Sequence, residues 1–275
     1  MPSSYEKGIT RVIKLVASDM DGTLLDGQGE VPPETYDLVR RLDAAGIRFV
    51  AASGRRLDTL REQFAPVVDR MDFVASNGAQ VVVDGKLVDL ELFSHAALRR
   101  MAHAVDLFDT LHLALFDDTR SYLLDDERCF EREIDKNLPL PVRAYGVPAP
   151  EIGIVKASIY CDDAVMDMAY ALARELGDEF VFAPSGKRWI DVMQRGVNKA
   201  TGIEQVLEAR GLAFGEVMAF GDSMNDYELL RRVGVSCAMG NGRSAIRQIS
   251  DRVLDTNLVQ SVQKEIAALL AERGA

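Results

Sequence analysis

Short apolar runs followed by polar, glycine-containing residues dominate the first third of the chain. The runs lie at residues 12–18, 47–52 and 73–75, and helical patterns containing Leu38 and Leu60 separate them. Such runs are typical of buried parallel strands. Their alternation with helices predicts right-handed βαβ crossovers in a doubly wound sheet.

The pattern changes at Gln80. Two β-rich runs, Gln80–Val83 and Lys86–Leu90, flank Asp84-Gly85, which predicts a hairpin with a two-residue turn. A proline-rich passage at 138–150 is typical of a surface connection. Around it the patterns predict helices at 94–108, 126–137 and 163–176 and strands at 111–116, 121–124, 154–161 and 179–183. We therefore expect an inserted α/β unit with mixed strand pairing.

The parallel pattern is predicted to resume at Trp189–Val192. Further elements are predicted at 198–210, 217–220, 227–233, 235–239, 252–254 and from about 258. The expected fold class is α/β, with a doubly wound, Rossmann-like parallel-sheet core formed by residues 1–84 and 188–275. Residues 85–187 form the inserted α/β cap in this interpretation.

Composition narrows the classes of partner. With 48% hydrophobic residues, 27% charged residues and a formal net charge of −11, the chain is typical of a globular protein and unlike a binder of nucleic-acid backbones. It has no apolar run of membrane-span length and no apolar signal region, so we expect a cytoplasmic protein without a membrane partner. Three widely separated cysteines predict reduced packing residues. The oligomeric state is not defined by the sequence.

Candidate chemistry begins where the first apolar run ends, at Asp19 and Asp21. Two carboxylates two positions apart at a strand end are costly unless a cation or a shared proton offsets their repulsion. A hard divalent ion with oxygen ligands would do so. The alternative is a solvated turn.

Two cationic positions could serve an anionic substrate. Ser53-Gly54-Arg55 lies at a strand-to-helix turn, where hydroxyl, backbone N–H and guanidinium can bind a phosphate oxygen, although Ser53 could simply cap the helix. Lys199 falls in the first turn of a predicted helix, where a cation opposes the helix dipole unless an anion lies nearby. An ordinary surface lysine is the alternative.

Two more strand ends carry Asn77 and the group Asp222, Asn225 and Asp226. In one parallel sheet all of these ends face one crevice. The set has enough oxygens for Mg²⁺ and the donors that a phosphoryl group needs. All three histidines, His95, His103 and His112, lie in the insertion. Carboxylates must therefore perform the chemistry, and an aspartate can attack phosphorus to form an aspartyl-phosphate.

Four motifs together resemble those of haloacid-dehalogenase (HAD) superfamily phosphatases of the Cof type, subfamily IIB, which carry a C2-type cap. They are Asp19-Met20-Asp21-Gly22-Thr23, Ser53-Gly54-Arg55, Ser76-Asn77-Gly78 and Gly221-Asp222-Ser223-Met224-Asn225-Asp226. The resemblance covers nearly the whole chain. One departure is Asn198-Lys199-Ala200, where the family commonly has Lys-Gly.

The resemblance implies a role for each matched residue. Asp19 is the implied nucleophile, and Asp21 is the implied acid for the leaving group and then the base for water. The implied metal set is Asp19, Asp21 through its main-chain carbonyl, Asp222 and, behind these ligands, Asp226. The implied phosphate-binding set is Ser53, Gly54, Arg55, Asn77, Gly78, Lys199 and Asn225.

The predicted function is Mg²⁺-dependent hydrolysis of a small phosphorylated metabolite, such as a sugar phosphate, through an aspartyl-phosphate. A phosphomutase or phosphotransferase using the same intermediate is one alternative. A non-catalytic phosphoacceptor or phosphate-binding module is another. Placement of Asp21 as an acid counts against the last, because a stable phosphoacceptor should avoid efficient water activation.

Overall fold

The computed structural model describes residues 12–124, 141–162, 164–185 and 187–274, and these form two β-sheets with helices packed on them. The strands are β1 Leu15–Ser18, β2 Arg48–Ala52, β3 Met71–Ala75, β4 Gln80–Val83, β5 Lys86–Leu90, β6 Leu111–Phe116, β7 Ser121–Leu123, β8 Pro141–Arg143, β9 Lys156–Cys161, β10 Phe180–Ser185, β11 Trp189–Gln194, β12 Val217–Gly221, β13 Val235–Ala238 and β14 Arg252–Val253. The helices are α1 Pro33–Ala44, α2 Leu57–Gln63, α3 His95–Val105, α4 Val165–Leu176, α5 Lys199–Arg210, α6 Tyr227–Arg232, α7 Ser244–Ile249 and α8 Ser261–Glu272. The helix predicted at 126–137 lies outside the described residues.

The larger sheet is the doubly wound core that the sequence predicts. Its strand order is β14-β13-β12-β1-β2-β3-β4-β5, and β1 pairs in parallel with both β2 and β12. Apolar residues of α1 and α8 pack on one face, while those of α5, α6 and α7 pack on the other. Because both faces are covered, the central strands are mostly apolar. The carboxyl ends of β1, β2, β3 and β12 therefore open at one edge.

The predicted hairpin forms the last two strands, β4 and β5, at one lateral edge of this sheet. Strands β4 and β5 are antiparallel, and both Asp84 (φ 49°) and Gly85 (φ 75°) adopt left-handed backbone conformations. Two left-handed residues are what a type I′ turn requires. Although β5 falls within the range predicted for the cap, it belongs to the core sheet.

The second sheet has the order β10-β11-β9-β6-β7-β8 and is antiparallel except for the β7–β8 pair. Helices α3 and α4 cover one of its faces. We refer to these elements together as the cap. None of the helices in the described part of the chain is long and apolar enough to cross a bilayer.

Two predictions within the cap are wrong. Trp189–Gln194 does not resume the parallel core; it pairs antiparallel with β9 and β10. A short apolar run indicates a strand but cannot say which sheet that strand joins. Pro141–Arg143, predicted as part of a connection, is the exposed edge strand β8, where a proline is tolerated because no ladder hydrogen bond is lost. The chain thus leaves the core after β5 and returns to it with α5.

Candidate active site

Strand β1 brings Asp19 to the edge of the core sheet. The Asp19 amide donates to the Phe220 carbonyl at 3.0 Å, so β1 and β12 end side by side, and Asp19 is 5% exposed. Beyond it Gly22 has φ +76°, and a Cβ there would lie 2.6 Å from an Asp222 carboxylate oxygen. Glycine therefore allows the loop after β1 to approach the loop after β12.

Lys199 is completely buried and joins two carboxylates. Its Nζ donates to Asp19 Oδ1 at 2.5 Å and to Asp226 Oδ1 at 2.6 Å. The side chain of Asn198 caps α5 by accepting from the backbone amides of Ala200 and Thr201. Gly78 (φ +108°) packs against this helix start, since a Cβ there would lie 2.2 Å from the Asn198 carbonyl oxygen. Close packing of this loop on α5 helps to place Lys199 beside the carboxylates.

Asp226 is held on both of its oxygens. Oδ1 accepts from Lys199, while Oδ2 accepts from the amides of Asp222 and Ser223, each at 3.0 Å. These bonds also fix the loop that carries Asp222.

The donor set fits a divalent metal ion. Carboxylate oxygens of Asp19, Asp222 and Asp226 lie within 4.8 Å of one another, and Asp222 Oδ1 is buried without a hydrogen-bond partner. An unpartnered buried carboxylate oxygen is costly, and a hard cation is the partner that such oxygens prefer. The Asp21 carboxylate does not belong to this cluster, which leaves its main-chain carbonyl for the role implied by the resemblance.

Burial of several carboxylates together shifts their protonation. Burial raises the pKa of Asp19 to about 8, and the opposing effect of Lys199 is offset by repulsion from Asp226 and Asp222. Burial and Asp226 likewise raise the pKa of Asp222 to about 6. The Lys199 ammonium has its pKa raised because attraction to Asp19 and Asp226 outweighs the effect of its burial. Additional positive charge beside the carboxylates would relieve this repulsion.

Arg55 contacts Asp21. Its Nε and Nη2 donate to the two Asp21 oxygens at 2.8 and 2.6 Å, and these bonds raise the pKa of the guanidinium. The Asp21 side chain is 62% exposed at the crevice. In this arrangement the side chain of Arg55 orients Asp21, although the resemblance implied a contact with phosphate.

The remaining predicted phosphate-binding residues lie together on neighbouring loops. Ser53 is buried, and its Oγ accepts from the Arg55 amide at 3.1 Å. Asn225 Nδ2 donates to Asn77 Oδ1 at 3.0 Å, joining the loops after β12 and β3. Gly54 packs against Asn77, whose side chain would lie about 3.1 Å from a Cβ at position 54. The structure thus brings all of the predicted site residues to one edge of the core sheet.

A cavity of about 1160 Å³ lies between this edge and the cap. The core contributes the residues above, and the cap contributes Met166, Tyr170, Val181, Lys156 and Asp191. Charged groups therefore face a mixed apolar and polar surface across the crevice.

The sequence analysis missed four residues at or near this crevice. Lys156 Nζ donates to the Gly54 carbonyl at 2.8 Å and lies 3.4 Å from an Asp191 oxygen. Arg56 is buried and donates to a main-chain carbonyl of the cap, and Asn241 Nδ2 donates to the Gly22 carbonyl at 2.7 Å. The only signals were a lysine and an aspartate within apolar strands and an asparagine between two glycines.

A family model described as haloacid dehalogenase-like hydrolase matches residues 16–266. The chain belongs to this family. The matched span contains every predicted site residue of this haloacid dehalogenase-like chain, and the predicted family is confirmed.

Curated relatives of this haloacid dehalogenase-like hydrolase are named phosphatases. The present chain is 32% identical over 238 residues to 5-amino-6-(5-phospho-D-ribitylamino)uracil phosphatase YbjI of Escherichia coli. The alignment covers 85% of this chain and 88% of that protein. The chain is 26% identical over 256 residues to the phosphatase of the same name, YcsE, of Bacillus subtilis, covering 92% and 94%. The prediction of a phosphatase is thereby confirmed.

A solved structure supports the fold. The crystal structure of SMU.1108c from Streptococcus mutans matches with a TM-score of 0.84 at 24% identity, covering 94% of this chain and 99% of that one. The predicted α/β fold class, with its parallel-sheet core and cap, is confirmed.

Proposed function

We propose that the protein hydrolyses a small phosphomonoester through an aspartyl-phosphate on Asp19, with Mg²⁺ as the metal. The observation that carries this proposal is the buried group formed by Asp19, Lys199 and Asp226, with the unpartnered oxygen of Asp222 beside it. A nucleophilic carboxylate can approach an anionic phosphate only where positive charge is already in place.

In the first step Asp19 attacks phosphorus, an Asp19–phosphorus bond forms, and the bond between phosphorus and the ester oxygen breaks. Asp21 donates a proton to the leaving oxygen, which departs as the alcohol. In the second step Asp21 takes a proton from water, the water oxygen attacks phosphorus, and the bond to Asp19 breaks. Inorganic phosphate leaves, Asp19 is a free carboxylate again, and Asp21 is protonated for the next turnover.

The neighbouring residues prepare these steps. Arg55 directs the Asp21 carboxylate, which must exchange one of its two hydrogen bonds with Arg55 for contact with the leaving oxygen. In this proposal Lys199 neutralises charge beside Asp19, and Ser53 and Asn225, which line the crevice, donate to phosphate oxygens. When bound, Mg²⁺ would be held by Asp19, Asp222 and the Asp21 carbonyl, with Asp226 behind them, and would supply positive charge against the phosphate.

For the substrate, we propose a phosphate ester of a polyol or sugar. The two relatives named above are phosphatases for a compound whose phosphate is carried by a ribityl chain. The cavity of about 1160 Å³ is large enough for such a metabolite, since ligand pockets commonly enclose about 300–1,000 Å³. Tyr170 and Met166, exposed on the cap side of the crevice, offer apolar surface to the part of the substrate farthest from the phosphate.

The test is a panel of phosphorylated polyols, sugars and nucleotides, with inorganic phosphate measured in Mg²⁺ and in excess chelator. We expect phosphate release from polyol phosphates without any bisphosphate activator, and its loss on chelation with recovery when Mg²⁺ is restored. Transfer of the phosphoryl group to a second hydroxyl, with no free phosphate, would instead identify a phosphotransferase. Full turnover in metal-free protein would refute the metal assignment.

A further inference from the structure

The cap places one ion pair directly over the loop predicted to bind phosphate. Lys156 Nζ donates to the main-chain carbonyl of Gly54 at 2.8 Å and lies 3.4 Å from Asp191 Oδ1. Ser158 Oγ also donates to Asp191 Oδ1, at 2.8 Å. The first oxygen of Asp191 is therefore fully engaged by residues of the cap itself.

The second oxygen of Asp191 has no such partner. In the described part of the chain no donor is hydrogen-bonded to Oδ2, and the Asp191 side chain is 15% exposed at the crevice. Oδ2 would lie 3.3 Å from a Cβ at Gly54, so it sits against the backbone between Ser53 and Arg55. A partly buried carboxylate oxygen in this position needs a donor, and the substrate is what occupies the crevice.

We propose that Asp191 is a specificity-determining residue that accepts a hydrogen bond from a substrate hydroxyl near the phosphate-bearing carbon. The inference rests on the proposed phosphatase function and deepens it. Lys156 compensates the charge of Asp191, so a neutral donor is sufficient. A methyl group at the same place would leave the carboxylate oxygen unpaired, and a carboxylate would be repelled by it.

Three phosphate esters that differ only on the carbon next to the phosphate-bearing carbon test this directly. Ethyl phosphate carries a methyl group there, 2-hydroxyethyl phosphate carries a hydroxymethyl group, and phosphoglycolate carries a carboxylate. The variant is Asp191→Asn, because its amide oxygen can keep the contacts with Ser158 and Lys156 while the charge and the second acceptor are lost.

We expect Asp191→Asn to lower kcat/KM for 2-hydroxyethyl phosphate by about 10- to 100-fold, the range for a hydrogen bond to a charged group. For ethyl phosphate the change should stay within about threefold, since no hydrogen bond is lost. For phosphoglycolate kcat/KM should rise, because a repulsion has been removed. A change of opposite sign for two substrates is a result that loss of packing cannot produce.

Lys156→Met is the matched control. It releases the cap from the Gly54 carbonyl and leaves the charge of Asp191 uncompensated. Ethyl phosphate and 2-hydroxyethyl phosphate should therefore change by a similar factor, while kcat/KM for phosphoglycolate should fall further, opposite to its rise in Asp191→Asn. If Asp191→Asn does not fold, Asp191→Ala replaces it and should show the order of effects across the three esters that is expected for Asp191→Asn. An equal change for all three esters in both Asp191 variants would overturn the proposal. Absence of phosphate release from every ester by the unaltered protein would instead count against the proposed function.

Discussion

The two sides of the crevice are built in different ways. On the core side Lys199 and Asp226 are paired with each other and both are 0% exposed. On the cap side apolar side chains are left open, with Tyr170 65% and Met166 43% exposed. The difference indicates that the core is organised before a substrate arrives, whereas the cap leaves apolar surface open on its side of the crevice.

This contrast follows from the physics of each task. Stabilising charge during phosphoryl transfer requires groups that are already oriented and need not rearrange, which buried strand ends and the capped start of α5 provide. Recognition of a leaving group requires area and a few polar contacts, and these can vary without disturbing the core. Lys199 and Lys156, one on each side, allow the contrast to be tested with the same substitution.

The largest effect is expected for Lys199→Met. In metal-free buffer it should lower the free energy of unfolding by about 3–5 kcal/mol, because Asp19 and Asp226 lose their buried partner. With Mg²⁺ present, kcat should fall by about 10²- to 10³-fold through loss of charge stabilisation. Urea unfolding and phosphate release measure the two quantities.

Lys156→Met is the comparison. Its side chain is 18% exposed and its partner Asp191 keeps the bond from Ser158, so the free energy of unfolding should change by about 1 kcal/mol. Equal destabilisation by the two substitutions would contradict the claim that the core side is the preorganised one.

The second largest effect, a loss of kcat/KM, is expected when the whole cap is removed. Replacing residues 93–195 with a flexible linker keeps β5 and α5 in the core, unlike a replacement at the boundaries predicted from sequence. We expect a loss of at least about 10²-fold in kcat/KM for a polyol phosphate, because contacts with the leaving group are removed. The artificial ester 4-nitrophenyl phosphate should retain activity within about tenfold, since its leaving group needs little assistance. Circular dichroism must confirm a folded core, and retained selectivity would place recognition in the core loops.

The smallest effect is expected at the contact between core and cap made by Arg56. Its guanidinium donates to the carbonyls of Asp118 and Arg120 at 2.8 and 3.3 Å. Arg56→Met should raise KM by about 3- to 10-fold with little change in kcat, because one or two modest hydrogen bonds between core and cap are lost. Arg61→Met, on the exposed face of α2, is the control and should leave both constants unchanged.

Much of the core could be predicted from the sequence because its signals are local. An apolar run ending in Asp19 or Asp222 indicates both a buried strand and a strand end, and parallel strands bring such ends to one edge. Lys199 was identified by its unfavourable place at a helix start, and the structure supplies the two anions that explain it.

The rest depends on contacts between distant parts of the chain. The pairing of β11 with β9 and β10 could not be read from the short run that forms it. Asp191 and Lys156 are single charged residues in that sheet, and their significance appears only when the cap lies over Gly54. The pairing of Arg55 with Asp21 is likewise a tertiary contact between two loops that carry separate motifs.

The most direct test of the central claim is to locate the phosphoryl group during turnover. Asp21→Asn should slow breakdown of the intermediate, so the variant is mixed with a substrate that has a good leaving group, quenched and reduced with borohydride. The account predicts that peptide mass spectrometry will find homoserine in place of Asp19, and that Asp19→Asn will show no such product. A reduced residue at any other position, or none in a variant that still releases the alcohol, would contradict the assignment of Asp19 as the nucleophile.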